Sequence, residues 1–125
     1  MPDSHEFTFA VEPVAWSRPR VARSGHMFNA PKMRLAQQDL KWLMKSQFKR
    51  FPLAGPLRVG IVFSITKPKS VKRDIPAVKP DIDNLIKLVI DAGNKIIWED
   101  DNLIIEITAR KEYGEPRIRL TVSEL

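Results

Sequence analysis

From Leu57 to Ile65 the chain reads Leu-Arg-Val-Gly-Ile-Val-Phe-Ser-Ile, with a large apolar residue at every second position. Strand side chains alternate between faces, so Leu57, Val59, Ile61, Phe63 and Ile65 line one side of a strand with a single buried face. Such a strand needs neighbours and a cover. Phe7, Phe9 and Val11 alternate with Glu6, Thr8 and Ala10 as a first strand, ended by Pro13. Leu103, Ile105 and Ile107 alternate with Ile104, Glu106 and Thr108, and Ile118, Leu120 and Val122 with Arg117, Arg119 and Thr121, giving two more after the acidic run. The cover comes from two helical patterns. Leu35, Ala36, Leu40, Leu43, Met44 and Phe48 recur on one face over residues 32–50, with Lys41, Lys45 and Lys49 as a solvated stripe. Leu85, Ile86, Val89 and Ile90 form the buried side of a second helix, from Asp83 or Asn84 to about Ala92, closed by Gly93-Asn94. The expected fold is α/β (α+β): one domain over residues 1–125, with a mixed, largely antiparallel sheet packed against two main helices.

At 125 residues with 43% hydrophobic residues, the chain suffices for one domain with a core. It has no cysteine, which excludes disulfides, thiolate metal sites and cysteine nucleophiles. The first residues lack the basic and apolar regions of a signal peptide, and no apolar run approaches the length of a membrane span. A cytoplasmic protein is expected. The charge is unevenly divided. Residues 1–80 carry 15 Lys and Arg against 5 Asp and Glu, while residues 81–125 carry 6 against 10, so +10 and −4 compose the net +6. A basic field of this kind attracts polyanions such as nucleic acid.

Much of that basic charge lies in two irregular segments. Residues 15–26 form a turn-rich loop whose Arg18, Arg20 and Arg23 suit phosphate contact; Trp16 and Phe28 could stack on a splayed base, but Trp16 is rather expected to pack on the core. Residues 66–79 hold Lys67, Lys69, Lys72, Arg73 and Lys79 against one Asp74, with prolines at 68 and 76 and a third at 80, and read as a loop or flap. Because this second segment leads into the acidic cluster, its cations are expected to contact DNA. Trp98 is expected in the core, Trp42 in the core or a dimer interface, and His5 and His26 at the surface.

The acidic cluster is the chemical signal. Pro80 delivers an extended chain into Asp81, and in extended backbone Asp81 and Asp83 point the same way. Asp83 suits the N-cap of the second helix, and Lys87 and Asp91 follow it at four-residue spacing on one polar stripe. Asp100-Asp101 stands at the start of the next strand. If the two junctions are neighbours, Asp81, Asp83 and Asp101 converge. Three carboxylates that close repel one another without a cation, and an oxygen-liganded divalent ion such as Mg²⁺ relieves them. Lys87 would then offset charge on a scissile phosphate. Asp91, near the helix C-terminus, is expected in a salt bridge or hydrogen bond. Each fragment also fits a purely structural role, because Asp-x-Asp commonly caps a helix and Asp-Asp commonly makes a turn.

The run Lys79-Pro80-Asp81-Ile82-Asp83-Asn84-Leu85-Ile86-Lys87, with Asp91-Ala92 a turn on and Trp98-Glu99-Asp100-Asp101 beyond, resembles the RusA family of Holliday-junction resolvases, common in phages and prophages. The likeness covers residues 56–123, and Ser17-Arg18-Pro19-Arg20 adds to it. It implies a small homodimeric endonuclease of mixed α/β fold that uses Mg²⁺, with Mn²⁺ as an alternative, and nicks four-way DNA junctions symmetrically. It also implies that Asp81, Asp83 and Asp101 are the metal-binding triad and that Lys87 is the essential lysine; Asp100 matches the first of the family's paired aspartates, and Asp100 and Asp91 are candidates for a place behind the ligands. Where many members continue Asp-Ala-Leu, this chain has Asp91-Ala92-Gly93, so its helix is expected to end early. Two other readings stay open: a branched- or single-strand DNA-binding protein whose carboxylates only cap and turn, and a flap or fork nuclease.

Overall fold

A computed structural model describes residues 3–14, 20–21, 23–25, 27–28 and 31–125, with the backbone alone at 20, 21, 27, 28 and 31. In chain order its elements are β1 (Ser4–Phe9), β2 (Arg20–Val21), β3 (Met27–Phe28), α1 (Pro31–Gln47), β4 (Leu57–Ile65), α2 (Ile82–Gly93), a 3₁₀ turn (Asp101–Leu103), β5 (Ile104–Tyr113) and β6 (Arg117–Glu124). The alternating run is β4 over its whole length. Leu57, Val59, Ile61, Phe63 and Ile65 are buried, as the period of two requires.

The main sheet has the order β1-β6-β4-β5. β6 pairs antiparallel with both β1 and β4, whereas β4 and β5 run parallel. The sheet is therefore mixed, with antiparallel pairs in the majority, and the fold is α+β as expected. A parallel pair cannot be joined by a hairpin, so everything from residue 66 to residue 103 forms one crossover around α2. Both helices join the sheet in one core, in which Leu40 and Met44 of α1 and Leu85, Leu88, Val89 and Ala92 of α2 meet the apolar sheet face. Pro31 opens α1, where its missing N–H has no helical partner to lose.

Several expectations are corrected in detail. Part of the loop expected over residues 15–26 is a short hairpin, with Arg20 opposite Phe28 and Val21 opposite Met27. Gly25, at φ +88°, supplies the left-handed backbone between those strands. In α1, Leu35 lies on the solvent side at 58% exposed, and Trp42 at 68% exposed is not a core residue of this chain. His5 is half-buried rather than on the surface. It meets Glu124 at 3.3 Å, and its ring packs edge-on to Phe48. β5 starts with a register shift, because Leu57 faces Ile104 but Arg58 faces Glu106. Ile105 falls at that bulge and is exposed instead of buried. Trp98 is fully buried, as expected.

Candidate active site

α2 starts one residue earlier than its apolar pattern suggests, and this changes which aspartate caps it. Asp81, in extended conformation, is the N-cap, and its carbonyl accepts the first helical hydrogen bond from Leu85 N at 3.2 Å. Its carboxylate makes no capping hydrogen bond. Asp83, expected as the cap, lies inside the first turn, where its Oδ1 accepts the backbone N–H of Asn84 at 3.0 Å. Pro80 holds the preceding Lys79 out of the helical region, and Asp81 follows it in extended conformation, so the helix begins at Ile82. Both carboxylates are exposed, and a helix N-terminus is a favourable place for negative charge.

One turn further on, Lys87 is exposed and its Nζ lies 3.6 Å from Asp91 Oδ2, an i,i+4 ion pair. This is the salt bridge expected of Asp91. The helix closes at Gly93, where a close approach requires the missing side chain. A Cβ on Gly93 would stand 2.4 Å from Cζ2 of the buried Trp98 ring. The same glycine's carbonyl accepts N–H bonds from Ile96 at 3.0 Å and Ile97 at 2.9 Å, folding the chain back sharply. Lys95 takes the left-handed conformation in that turn, with φ 68°.

The returning chain is stapled to the segment before β4. Leu53 donates to Ile97 O at 2.8 Å and accepts from Glu99 N at 2.9 Å. Asp100 then caps the 3₁₀ turn, its Oδ1 accepting from Asn102 N at 3.0 Å. That hydrogen bond, aided by Asp101 and the charge of Lys95 and partly opposed by desolvation, holds the Asp100 carboxyl below the usual aspartate range. Its role is thus to shape the turn that presents Asp101, which is exposed.

The expected convergence of three carboxylates is not met within one chain. Asp81 stands at the N-terminal end of α2, whereas Asp100 and Asp101 follow its C-terminal end, and twelve helical residues span roughly 18 Å. Lys111, near the end of β5, reaches the carbonyls of Val78 and Pro80, while Asp101 precedes the start of the same strand. Among the described residues no group of three or more His, Cys, Asp or Glu could hold a metal ion. The cause is the parallel β4–β5 pairing, which makes the helix between them run back against the strands.

A family model for endodeoxyribonuclease RusA matches residues 10–123. The chain belongs to the RusA family. Among its relatives is the uncharacterized protein YqaN of Bacillus subtilis (strain 168), 30% identical over 139 aligned positions that cover 98% of each chain. RusA membership implies an endodeoxyribonuclease acting on DNA. Lys67, Lys69, Lys72, Arg73 and Lys79 are all exposed, and Lys67 pairs with Asp74 at 3.1 Å. Arg23 is exposed, Arg20 begins β2, and Arg18 lies outside the described residues.

The RusA carboxylates suit a hard cation in their chemistry. Asp81 and Asp83 offer oxygen donors at one exposed helix end, and Mg²⁺ commonly takes one or two carboxylates and keeps its remaining ligands as water. Sequence reasoning missed Lys111, although a signal was present: it occupies the phase of Ala109 and Tyr113, facing the helices, where an apolar residue is usual. No described helix is long and apolar enough to cross a membrane.

Proposed function

We propose that this RusA-family chain is a Mg²⁺-dependent, structure-specific endodeoxyribonuclease that resolves four-way DNA junctions by paired, symmetric nicks. The observation that carries the reading is the placement of Asp81, Asp83 and Lys87 on the exposed first turns of α2, directly after a segment with five exposed cations. Asp81 and Asp83 would hold the divalent ion, with Asp101 as its third carboxylate. Bound there, Mg²⁺ (or Mn²⁺) would supply a Lewis acid that activates water and polarises a phosphate oxygen. Lys87, a helical turn beyond Asp83, balances the charge that builds on the phosphate, and Asp91 holds its ammonium in place. The cations of residues 67–79, with Arg18, Arg20 and Arg23, grip phosphates, so recognition follows branched shape rather than sequence.

The reading includes a homodimer for two reasons. A four-way junction has approximate two-fold symmetry, and two sites related by a two-fold axis cut opposed strands in concert. β5 is also an edge strand: among the described residues no strand pairs with its outer side, and it exposes Ile105 and Ile107. Antiparallel pairing of two copies along that edge would set the start of one β5 beside the end of the other. Asp101 of one copy would then approach Asp81 and Asp83 of its mate, across a separation that one chain cannot close.

A labelled four-way junction incubated with the protein and Mg²⁺ tests the function. Symmetric nicks in two opposed strands, absent on linear duplex of the same sequence, are expected. Tight binding without cleavage at any Mg²⁺ or Mn²⁺ concentration would sink the enzymatic reading, and preferential cleavage of flaps or forks would sink the junction assignment.

A further inference from the structure

Lys111 faces the helices rather than open solvent. It stands opposite Phe63 in the parallel ladder and is only partly exposed. Its ammonium donates to Val78 O at 2.6 Å and to Pro80 O at 3.0 Å. These carbonyls lie on either side of Lys79, and the second belongs to the residue just before the α2 N-cap, Asp81. The other hydrogen bonds of the basic segment stay inside it: Lys67 to Asp74, Val71 N to Pro68 O, and Ala77 N to Ile75 O. Among the described residues, Lys111 therefore makes the hydrogen bonds that fasten residues 66–80 to the sheet. Charge-assisted bonds of this kind are roughly twice as strong as neutral ones. A point fixed by two of them, one residue from Asp81, sets where the chain enters α2.

The geometry points to Lys111 as the positioning residue of the DNA-cutting site. It fixes Pro80 against β5, and through Pro80 it aims Asp81 and Asp83 and keeps the basic segment beside them. Its catalytic consequence rests on the proposed function; the anchoring itself does not. The substitutions Lys111→Met, which keeps a linear stem without the charge, and Lys111→Arg, which restores a cationic donor, separate the two.

Hydrogen–deuterium exchange on the full chain, without DNA or metal, reads the anchoring. In Lys111→Met, exchange over residues 75–86 should accelerate while β1, β4 and β6 keep their protection, and Lys111→Arg should largely restore it. Single-turnover cleavage of a four-way junction across a Mg²⁺ series reads the positioning. Lys111→Met should cleave about 10–100-fold more slowly and need more Mg²⁺ for half-maximal rate, as expected when a ligand's supporting hydrogen bonds are lost. Junction affinity measured without divalent ions should change much less.

Unchanged exchange over residues 75–86 would overturn the anchoring whatever the activity. Faster exchange with an unaltered rate and Mg²⁺ dependence would overturn the positioning role, and loss of protection throughout the sheet would make Lys111 a general structural residue. A wild-type chain that binds junctions without cutting them would refute the function, and exchange would still decide the anchor.

Discussion

Gly93→Ala is the substitution whose effect the structure determines most directly. In an ordinary helix this change is favourable by about 0.5–1 kcal/mol, because alanine loses less backbone freedom than glycine. Here the new Cβ would lie 2.4 Å from Trp98 Cζ2, 2.6 Å from Cη2 and 2.9 Å from Cε2. The indole must therefore retreat by more than an ångström to reach an ordinary contact. Trp98 is fully buried, and the turn that carries it is pinned by Leu53 and by the Gly93 carbonyl, so it has little room to retreat. Overpacking of a rigid core costs typically about 1–3 kcal/mol, and this case belongs at the upper end. Subtracting the helix gain leaves a net loss of about 2 kcal/mol, or a fall in Tm of roughly 6–10 °C for a domain of this size. Urea denaturation should show a lower midpoint at unchanged m value. In a double-mutant cycle, Trp98→Leu removes the clashing ring atoms, and on that background Gly93→Ala should be neutral or stabilising. A Gly93→Ala chain as stable as the wild type, or a cycle with no coupling, would refute the reasoning.

Asp83→Asn should abolish cleavage while keeping or strengthening junction binding, since it removes negative charge beside the phosphates; a gel-shift titration and a nicking assay on one preparation suffice, and joint loss of folding and binding would mark Asp83 as structural. Replacing Lys72 and Arg73 by Ala should lower junction affinity and reduce the slope of log K against log salt by roughly 2 if both contact phosphate; an unchanged slope removes them from the interface. The lowered Asp100 carboxyl has a signed consequence. A depressed folded-state value stabilises the fold above the ordinary aspartate range and loses that contribution as pH falls through the lowered value. Tm measured from neutral pH to below about pH 4 should therefore fall less steeply in Asp100→Asn than in the wild type, and parallel curves would count against the cap.

How much of this was legible in the sequence depended on whether the signal was local. β4 could be read in full because each of its residues declares its face. The crossover helix was found within two residues, and its cap was misplaced because Asp81 and Asp83 are chemically equivalent candidates on either side of one isoleucine. The position of Asp91 near the helix end points to a salt bridge or hydrogen bond, and it pairs with Lys87. The separation of Asp81 from Asp101 was not legible, because it follows from β4 and β5 running parallel, a tertiary fact no local spacing encodes. Ile105 was misassigned because a bulge shifts phase without changing composition. For Lys111 the sequence carries its phase, a cation on the helix-facing side of β5, but not its partners, which are backbone carbonyls some thirty residues earlier.

The position of β6 governs when the sheet of such a protein can close. Among the described residues β1 pairs with β6 alone, and β4 lies between β6 and β5. A strand from the far end of the sequence is thus the keystone between the earliest strand and the strand that anchors the crossover. During synthesis, residues 4–113 can collapse but cannot close their sheet, since the missing partner must first leave the ribosome. The aspartates and the basic segment are translated well before that moment, yet they hang from strands that are not yet locked together. A nascent chain therefore carries Asp81, Asp83 and Asp101 before the sheet that positions them can close, since β6 runs to Glu124.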